Sequence, residues 1–279
     1  MPNTVCEHFA LNTYSYTLTG RVVEHLPRFA DAGFRELELM LYPGHFWPQD
    51  MATGERRALH RDLESRGLSV RTLNQPNIDI NVAAANPRMR RHSLDIQLAA
   101  IRLAAEIGAE GLVIGPGKPN PLLPAPLEQL TGWSFAALDE MLPLADSNGV
   151  QLLMENMPFA FLPDAESMMC ALERYGADQI GVVYDIANAH FIGEDLSAGL
   201  ARVASRLHTV HVSDTTRSVY RHDPVGSGDL DFSQALGALE AVAHARRPVL
   251  EIISVDPTHD IPHSARLLHE LGWAGGRCS

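Results

Sequence analysis

The sequence has 279 residues, and 46% of them are hydrophobic, which is enough to fill a large core in one domain. Its 34 acidic and 22 basic side chains give a formal net charge of -12, which disfavours contact with a nucleic-acid backbone because such contact needs clustered basic residues. No basic segment followed by an apolar run opens the sequence, and no stretch of about 18 consecutive apolar residues occurs. We therefore expect a cytoplasmic protein that binds neither nucleic acid nor a membrane.

Short apolar runs rich in β-forming residues alternate along the chain with longer segments of helical spacing. This alternation is typical of parallel βα units. Eight strands are predicted, at about residues 8–14, 35–40, 68–74, 110–115, 150–156, 180–186, 207–213 and 248–253.

The segments between these strands carry signals for helix ends. Helix N-termini are predicted at Asn86, Asp164 and Asp231, and helix C-termini at Gly67, Gly108, Gly149 and Gly176. The proline-rich segment 115–126 is predicted to be a long loop between a strand and a helix. Because eight βα units follow one another without interruption, we predict an α/β fold, a single (β/α)8 TIM barrel domain that spans residues 1–279.

Side chains alternate between the two faces of a barrel strand, and catalytic groups gather at the C-terminal ends of the strands. In strand 150–156, Leu152 and Met154 are predicted to face the helices, which leaves Glu155 inside the barrel. The same alternation turns one polar side chain inward on each of the next three strands, namely Asp185, His211 and Glu251. Four successive strands thus deliver one side chain each, all able to bind a metal, to the same mouth.

Three carboxylates inside a barrel would repel one another and raise one another's pKa unless a cation lay between them. We therefore predict that one divalent metal ion is held by Glu155, Asp185, His211 and Glu251. Three oxygen donors and one imidazole suit Mn²⁺, Co²⁺ or Mg²⁺, with Zn²⁺ as an alternative. A divalent ion at such a site can chelate a carbonyl and an adjacent hydroxyl oxygen, and so stabilise the enediolate formed when a carbon-bound proton is removed.

Five segments surround these residues: MEN at 154–156, YDIANAH at 184–190, HVSDTTR at 211–217, HDPVGSGDLDF at 222–232 and LEI at 250–252. Together they resemble the xylose isomerase-like TIM barrel superfamily (sugar phosphate isomerase/epimerase, AP endonuclease family 2). The resemblance covers nearly the whole chain, and it implies the same four metal ligands at the ends of strands five to eight.

The resemblance also implies a reaction. In the ketose 3-epimerases of this superfamily the glutamates that match Glu155 and Glu251 move protons, so one would abstract a proton while the other reprotonates the opposite face. We therefore expect an isomerase or epimerase of a sugar or related hydroxy-ketone. A lyase that dehydrates a keto-cyclitol or keto-acid is the alternative, because loss of a β-hydroxyl can follow the same first step.

Five further polar residues are expected to contact the substrate: Arg217, Asn188, His222, Asn74 and Lys118. The resemblance suggests Arg217, because the epimerase-like members place a substrate-binding arginine in this loop. Asn74 and Lys118 lie near predicted strand ends, where loops carry binding groups. Asn188 follows Asp185 by three residues, and His222 precedes a Pro-x-Gly-x-Gly turn.

Two positions depart from the ketose 3-epimerases. Asn188 stands where many of them have a histidine, and Phe161 stands where they carry a second glutamate. An asparagine can donate a hydrogen bond but cannot act as an acid or base.

An endonuclease IV-like repair enzyme is a further alternative. It is remote, because Asn74 and Asn188 occupy places where its three-metal cluster needs histidines. The resemblance leaves a homodimer open.

Overall fold

The structure, a computed structural model, describes residues 4–76 and 79–273. Eight parallel strands close into a barrel in chain order, with each strand paired to the next and the last paired to the first. The strands are β1 (Ala10–Asn12), β2 (Glu36–Met40), β3 (Ser69–Asn74), β4 (Gly111–Ile114), β5 (Gln151–Glu155), β6 (Gly181–Asp185), β7 (Leu207–Val212) and β8 (Val249–Leu250). Each lies within its predicted range, and the predicted TIM barrel is confirmed.

Helices surround the barrel and follow the strands. They are α1 (Val22–Asp31), α2 (Thr53–Ser65), α3 (Pro87–Ile107), α4 (Leu127–Asn148), α5 (Ala165–Tyr175), α6 (Ile186–Ile192), α7 (Leu196–Val203), α8 (Phe232–Ala241) and α9 (Pro257–Glu270). Among the described residues, every helix is either too short or too polar to span a bilayer.

The predicted helix ends are confirmed by their hydrogen bonds. Asn86, Asp164 and Asp231 each accept a bond from a backbone N–H in the first turn of α3, α5 and α8. The predicted Gly108, Gly149 and Gly176 end α3, α4 and α5 in the left-handed conformation, and Gly67, also left-handed, lies two residues beyond α2. The chain therefore turns from helix to strand where the sequence signals indicate.

Side chains alternate between the helix-facing core and the barrel interior as predicted. Leu152 and Met154 pack in the core between strands and helices, whereas Leu153 contacts Val113 and Val183 in a separate apolar cluster. Glycines on the two neighbouring strands make room for Leu153, because a Cβ atom at Gly111 or Gly181 would lie 2.9 or 2.7 Å from its methyl groups. This cluster fills the barrel interior two residues before Glu155 on β5.

A network of charged side chains lies at the N-terminal end of the barrel. Arg71 is buried, pairs with Glu36 and donates to the carbonyl of Arg247, whose guanidinium also pairs with Glu36. These groups form ion pairs with one another, and the functional sites of such barrels lie at the opposite, C-terminal end.

Shortening Leu153 tests the packing of the barrel interior. Leu153→Ala is expected to lower the free energy of unfolding by about 2–5 kcal/mol, because the neighbouring strands cannot fully close the resulting cavity. Urea unfolding followed by circular dichroism measures this loss. The control Leu122→Ala removes the same atoms from a residue that is 93% exposed and should change the free energy by less than about 0.5 kcal/mol. Equal effects of the two variants would contradict this assignment.

Candidate metal centre

Four side chains converge at the C-terminal mouth of the barrel. Glu155 and Asp185 end β5 and β6, His211 lies on β7, and Glu251 directly follows β8. The Glu251 N–H donates to the carbonyl of Val212 at 3.1 Å, so the backbone after β8 stays in register with β7. Each of the four residues offers one ligand atom, and these atoms all lie within 4.8 Å of one another. The structure thus brings together the four residues that strand alternation selects.

Asp185 is positioned by two asparagines. The Asn156 side chain accepts from the Asp185 N–H at 2.7 Å and donates to its carbonyl at 3.0 Å, which ties β5 to β6. Asp185 Oδ1 accepts from the backbone N–H of Asn188 at 2.7 Å and so caps α6. Its other oxygen, Oδ2, is buried and has no hydrogen-bond partner among the described residues. A buried carboxylate oxygen without a donor is unfavourable unless a cation binds it, so this atom fits a metal ion.

His211 lies between the other three members of this cluster and a further carboxylate, that of Glu38. Its Nδ1 lies 3.0 Å from both Glu155 Oε1 and Glu251 Oε2, and 3.9 Å from Asp185 Oδ2. Its Nε2 lies on the opposite side, 3.1 Å from Glu38 Oε1. A cation in the cluster would replace the proton on Nδ1, and an Nε2–H that donates to Glu38 would then leave the Nδ1 lone pair to bind it, which is the tautomer that a metal ligand needs.

Glu38, fully buried on β2, is a residue that the sequence analysis missed. Its carboxylate accepts hydrogen bonds from three further side chains, Asn12 at 2.7 Å, Thr72 at 2.7 Å and Asn74 at 3.0 Å. The signal for it was present, because Leu37 and Leu39 face the helices and the same alternation turns Glu38 inward. The functional pattern therefore extends to β2.

Burial and charge act against each other in this cluster. Burial raises the pKa of Asp185 to about 6 and also raises the pKa of Glu155, and neighbouring carboxylates add to both effects. Burial disfavours a charged His211, but the carboxylates of Glu38, Glu251 and Glu155 raise its pKa well above the usual range. Burial likewise opposes charge on Glu38, yet His211 and the hydrogen-bond donors lower its pKa to about 2. The repulsion expected from the sequence is present, and it favours a cation within the cluster.

A cavity opens above these residues, with a volume of about 680 Å³ that includes the solvent in its mouth. Glu155 and Glu251 line it, whereas Asp185 and His211 are completely buried beneath it. Four of the five predicted substrate contacts also line the cavity, namely Asn74, Lys118, Asn188 and His222. The two glutamates are thus the members of the cluster that face both the candidate metal position and the space for a ligand.

A chain of hydrogen bonds follows one wall of this cavity. Asn188 Nδ2 donates to the Asn156 carbonyl at 2.8 Å, and the Tyr220 hydroxyl donates to Asn188 Oδ1 at 2.8 Å. Because that hydroxyl has one proton, His222 Nε2–H, 2.9 Å away, is the donor to Tyr220. His222 Nδ1 then lies 3.0 Å from Ser213 Oγ and 3.7 Å from Glu251 Oε2. Tyr220, which no sequence signal indicated, therefore links the cavity wall to the cluster.

Aromatic side chains form the rim beside this wall. The rings of Phe159 and Phe191 lie 5.3 and 5.2 Å from that of Tyr220, measured between centroids. Phe159 is 57% exposed and lines the cavity. These rings offer an apolar surface to the carbon skeleton of a ligand.

Arg217 lies outside the cavity. It is exposed, and its guanidinium is close to Gly193 at the end of α6. Phe161 is half-buried against the core, and its N–H donates to the carbonyl of Gly117 at 3.2 Å. Contact between Arg217 and substrate stays a prediction, and Phe161 supplies no carboxylate at its position.

Solved structures of other proteins share this architecture. A D-tagatose 3-epimerase-like protein superposes with a TM-score of 0.82 at 20% identity, over 94% of this chain and 96% of the other. An L-ribulose 3-epimerase superposes with a TM-score of 0.80 at 20% identity, over 95% and 94% of the two chains. The IolI protein with a bound zinc atom gives a TM-score of 0.76 at 15% identity, over 95% and 96%. At these identities the likeness shows a shared fold.

Sequence comparison identifies the family. An uncharacterized protein of Methanocaldococcus jannaschii is 24% identical over 176 residues, which are 61% of this chain and 59% of that relative's length. The family model of the xylose isomerase-like TIM barrel matches residues 26–271. The chain therefore belongs to the xylose isomerase-like TIM barrel family, as its sequence segments predict.

Proposed function

We propose that this protein is a divalent-metal-dependent isomerase or epimerase of a sugar or related hydroxy-ketone. The proposal is carried by one observation: two of the four clustered residues line the cavity, and the other two lie beneath it. Asp185 and His211 are sealed beneath the cavity, while Glu155 and Glu251 reach both the cluster and the ligand space. The structural likeness to an L-ribulose 3-epimerase supports the same reaction class.

The donor set indicates how a metal would be held. Glu155, Asp185, His211 and Glu251 would be its ligands, with Mn²⁺, Co²⁺ or Mg²⁺ as the expected ions and Zn²⁺ as an alternative that the zinc-bound IolI structure supports. When bound, a divalent cation supplies Lewis-acid polarisation of a carbonyl, which makes the neighbouring carbon-bound proton more acidic. Glu38 holds His211 in the required tautomer.

Proton transfer is assigned to the two glutamates that face the cavity. Glu155 leaves β5 and Glu251 follows β8, and two strands separate these positions in the barrel. They can therefore approach a bound ligand from different sides, so that one removes a proton and the other returns one to the opposite face. Asn12 donates to Glu251 Oε1 at 3.2 Å and holds that carboxylate in place.

The remaining polar groups of the wall would orient the ligand. Asn188 has one amide N–H left after its bond to Asn156, and Tyr220 and His222 also line the cavity. Asn74 is already bonded to Glu38, so its second N–H is the group available to a ligand. Asn74 and Asn188 stand where the three-metal cluster of a repair enzyme needs histidines, which disfavours the nucleic-acid alternative. A cytoplasmic location and a homodimer stay predictions.

Metal binding is the first expected property. Metal-free protein should bind about one Mn²⁺ per chain, as measured by isothermal titration calorimetry. Asp185→Asn should weaken this binding by more than about 100-fold, because it replaces the unpaired anionic oxygen with a neutral amide while keeping the helix cap. The control Asp178→Asn alters an exposed carboxylate that pairs with Arg206, and it should bind Mn²⁺ normally. Equal affinities of the two variants would rule out this site.

The role of Glu38 is tested by a change on the same strand. Glu38→Gln should weaken Mn²⁺ binding by about 10–100-fold, because the neutral amide no longer favours the Nε2–H tautomer of His211. Glu36→Gln is the matched control, since Glu36 lies two residues earlier on the same face of β2 but pairs with Arg71 and Arg247. Unchanged Mn²⁺ affinity in Glu38→Gln would refute the positioning role.

The reaction itself is tested in D2O. Mn²⁺-loaded protein incubated with a panel of hydroxy-ketones, including D-tagatose, L-ribulose, D-fructose 6-phosphate and D-fructuronate, should convert at least one of them to an isomer that carries solvent deuterium. Glu155→Gln and Glu251→Gln should each slow the incorporation by about 10²–10⁴-fold, whereas Glu240→Gln on the exposed surface of α8 should not. Mass spectrometry reports the outcome. Loss of water from the product would instead indicate the lyase, and full exchange in both glutamine variants would contradict the assignment of the glutamates.

A further inference from the structure

Lys118 differs from every other basic residue of the chain. It is the only lysine in the sequence, and the remaining members of the 22 basic side chains are arginines. Among the described Lys and Arg residues, it is also the one that lines the cavity above Glu155 and Glu251. A chain that uses arginine everywhere else has a lysine at its candidate active site.

The backbone of Lys118 is held in place. Its N–H donates to Asn81 Oδ1 and its carbonyl accepts from Asn81 Nδ2, both at 3.0 Å. The preceding Gly117 has a φ of 111°, and a Cβ atom there would lie 2.6 Å from the Cβ of Ala83. The start of the proline-rich loop is therefore fixed against the segment after β3, and Lys118 is presented to the cavity from a rigid support.

The ammonium group of Lys118 has no partner in direct contact among the described residues. Within the described part of the chain, the Lys118 side chain forms no ion pair or hydrogen bond, although the residue is half-buried. Burial lowers the pKa of Lys118, and the more distant charge of Asp79 acts in the opposite direction. A partly desolvated cation without a partner is unfavourable, and an anion in the cavity would relieve that cost.

The charges around the cavity define where such an anion would lie. One divalent cation and the three carboxylates of Glu155, Asp185 and Glu251 sum to one net negative charge, and Glu38 lies directly behind them. An anionic group is therefore disfavoured at the cluster. Lys118 offers a compact charge with three rotatable donors, which suits a carboxylate or a phosphate.

We propose that Lys118 binds an anionic group at the end of the substrate remote from the reacting carbon, so that the enzyme acts on an acidic or phosphorylated hydroxy-ketone rather than on a free sugar. This inference rests on the proposed function, because it assumes that the neutral hydroxy-ketone end of the ligand lies at Glu155 and Glu251. The apolar rim at Phe159 would cover the carbon chain between the two ends.

Three matched compounds test the proposal: D-fructose, D-fructose 6-phosphate and D-fructuronate, which differ in the group at C6. Isothermal titration calorimetry with Mg²⁺-loaded protein should give an affinity at least about 10-fold higher for one of the two anions than for D-fructose. The anion that binds more tightly distinguishes a phosphate from a carboxylate ligand. Lys118→Met should abolish this preference, and Lys118→Arg should retain part of it.

The single lysine also permits a direct measurement. Reductive methylation with ¹³C-formaldehyde keeps the charge and labels only Lys118 and the N-terminal amine. The Lys118 signal in the NMR spectrum should shift with the preferred anion and not with D-fructose.

Equal affinities for the three compounds, or no binding by either anion, would overturn the proposal. A loss of turnover in Lys118→Met without any change in anion preference would overturn it too, in favour of proton transfer by the lysine. Mg²⁺ affinity is measured on the same samples. Failure to bind the metal contradicts the proposed function as well, whereas normal metal binding without an anion preference contradicts only the role of Lys118.

Discussion

The imidazole of His211 stands between carboxylates on both sides, and the chemistry of the barrel mouth depends on that position. Glu38 accepts from one ring nitrogen, which leaves the other directed at Glu155, Glu251 and Asp185. Without a positive charge among them, three buried carboxylates would oppose folding of the mouth. The repulsion between these carboxylates favours a divalent ion among them. The stability of the site and its chemistry therefore have one physical origin.

The barrel stabilises this arrangement, because apolar and polar layers follow one another along its axis. Leu153, Val113 and Val183 fill the interior, and Glu155 lies on the same face of β5 as Leu153. Asn156 ties β5 to β6 through both backbone groups of Asp185. The metal-binding side chains therefore stand on strands with little freedom to move, and the variable groups of the cavity lie on the loops above them.

Strand alternation accounts for most of what the sequence predicted correctly. A period of two residues in β5 to β8 is enough to select the four clustered residues, because the helix-facing positions are apolar on every one of these strands. The same rule selects Glu38 on β2, because its neighbours Leu37 and Leu39 face the helices. The position of Tyr220 could not be predicted from the sequence. Tyr220 lies in a loop that has no periodic pattern, and its position depends on contacts with Asn188 and His222. Strand spacing does not encode loop conformation, so it could not place Arg217 either. The family resemblance suggested that Arg217 contacts the substrate, and the side chain lies at the surface.

The central claim is that Glu155, Asp185, His211 and Glu251 together hold one divalent ion. Anomalous diffraction from crystals of the protein grown with Mn²⁺ tests it most directly. We expect a single strong peak at the barrel mouth, about 2.0–2.3 Å from one oxygen of each carboxylate and from Nδ1 of His211. A peak bound through Nε2 of His211, or a mouth without any peak at saturating Mn²⁺, would contradict the claim.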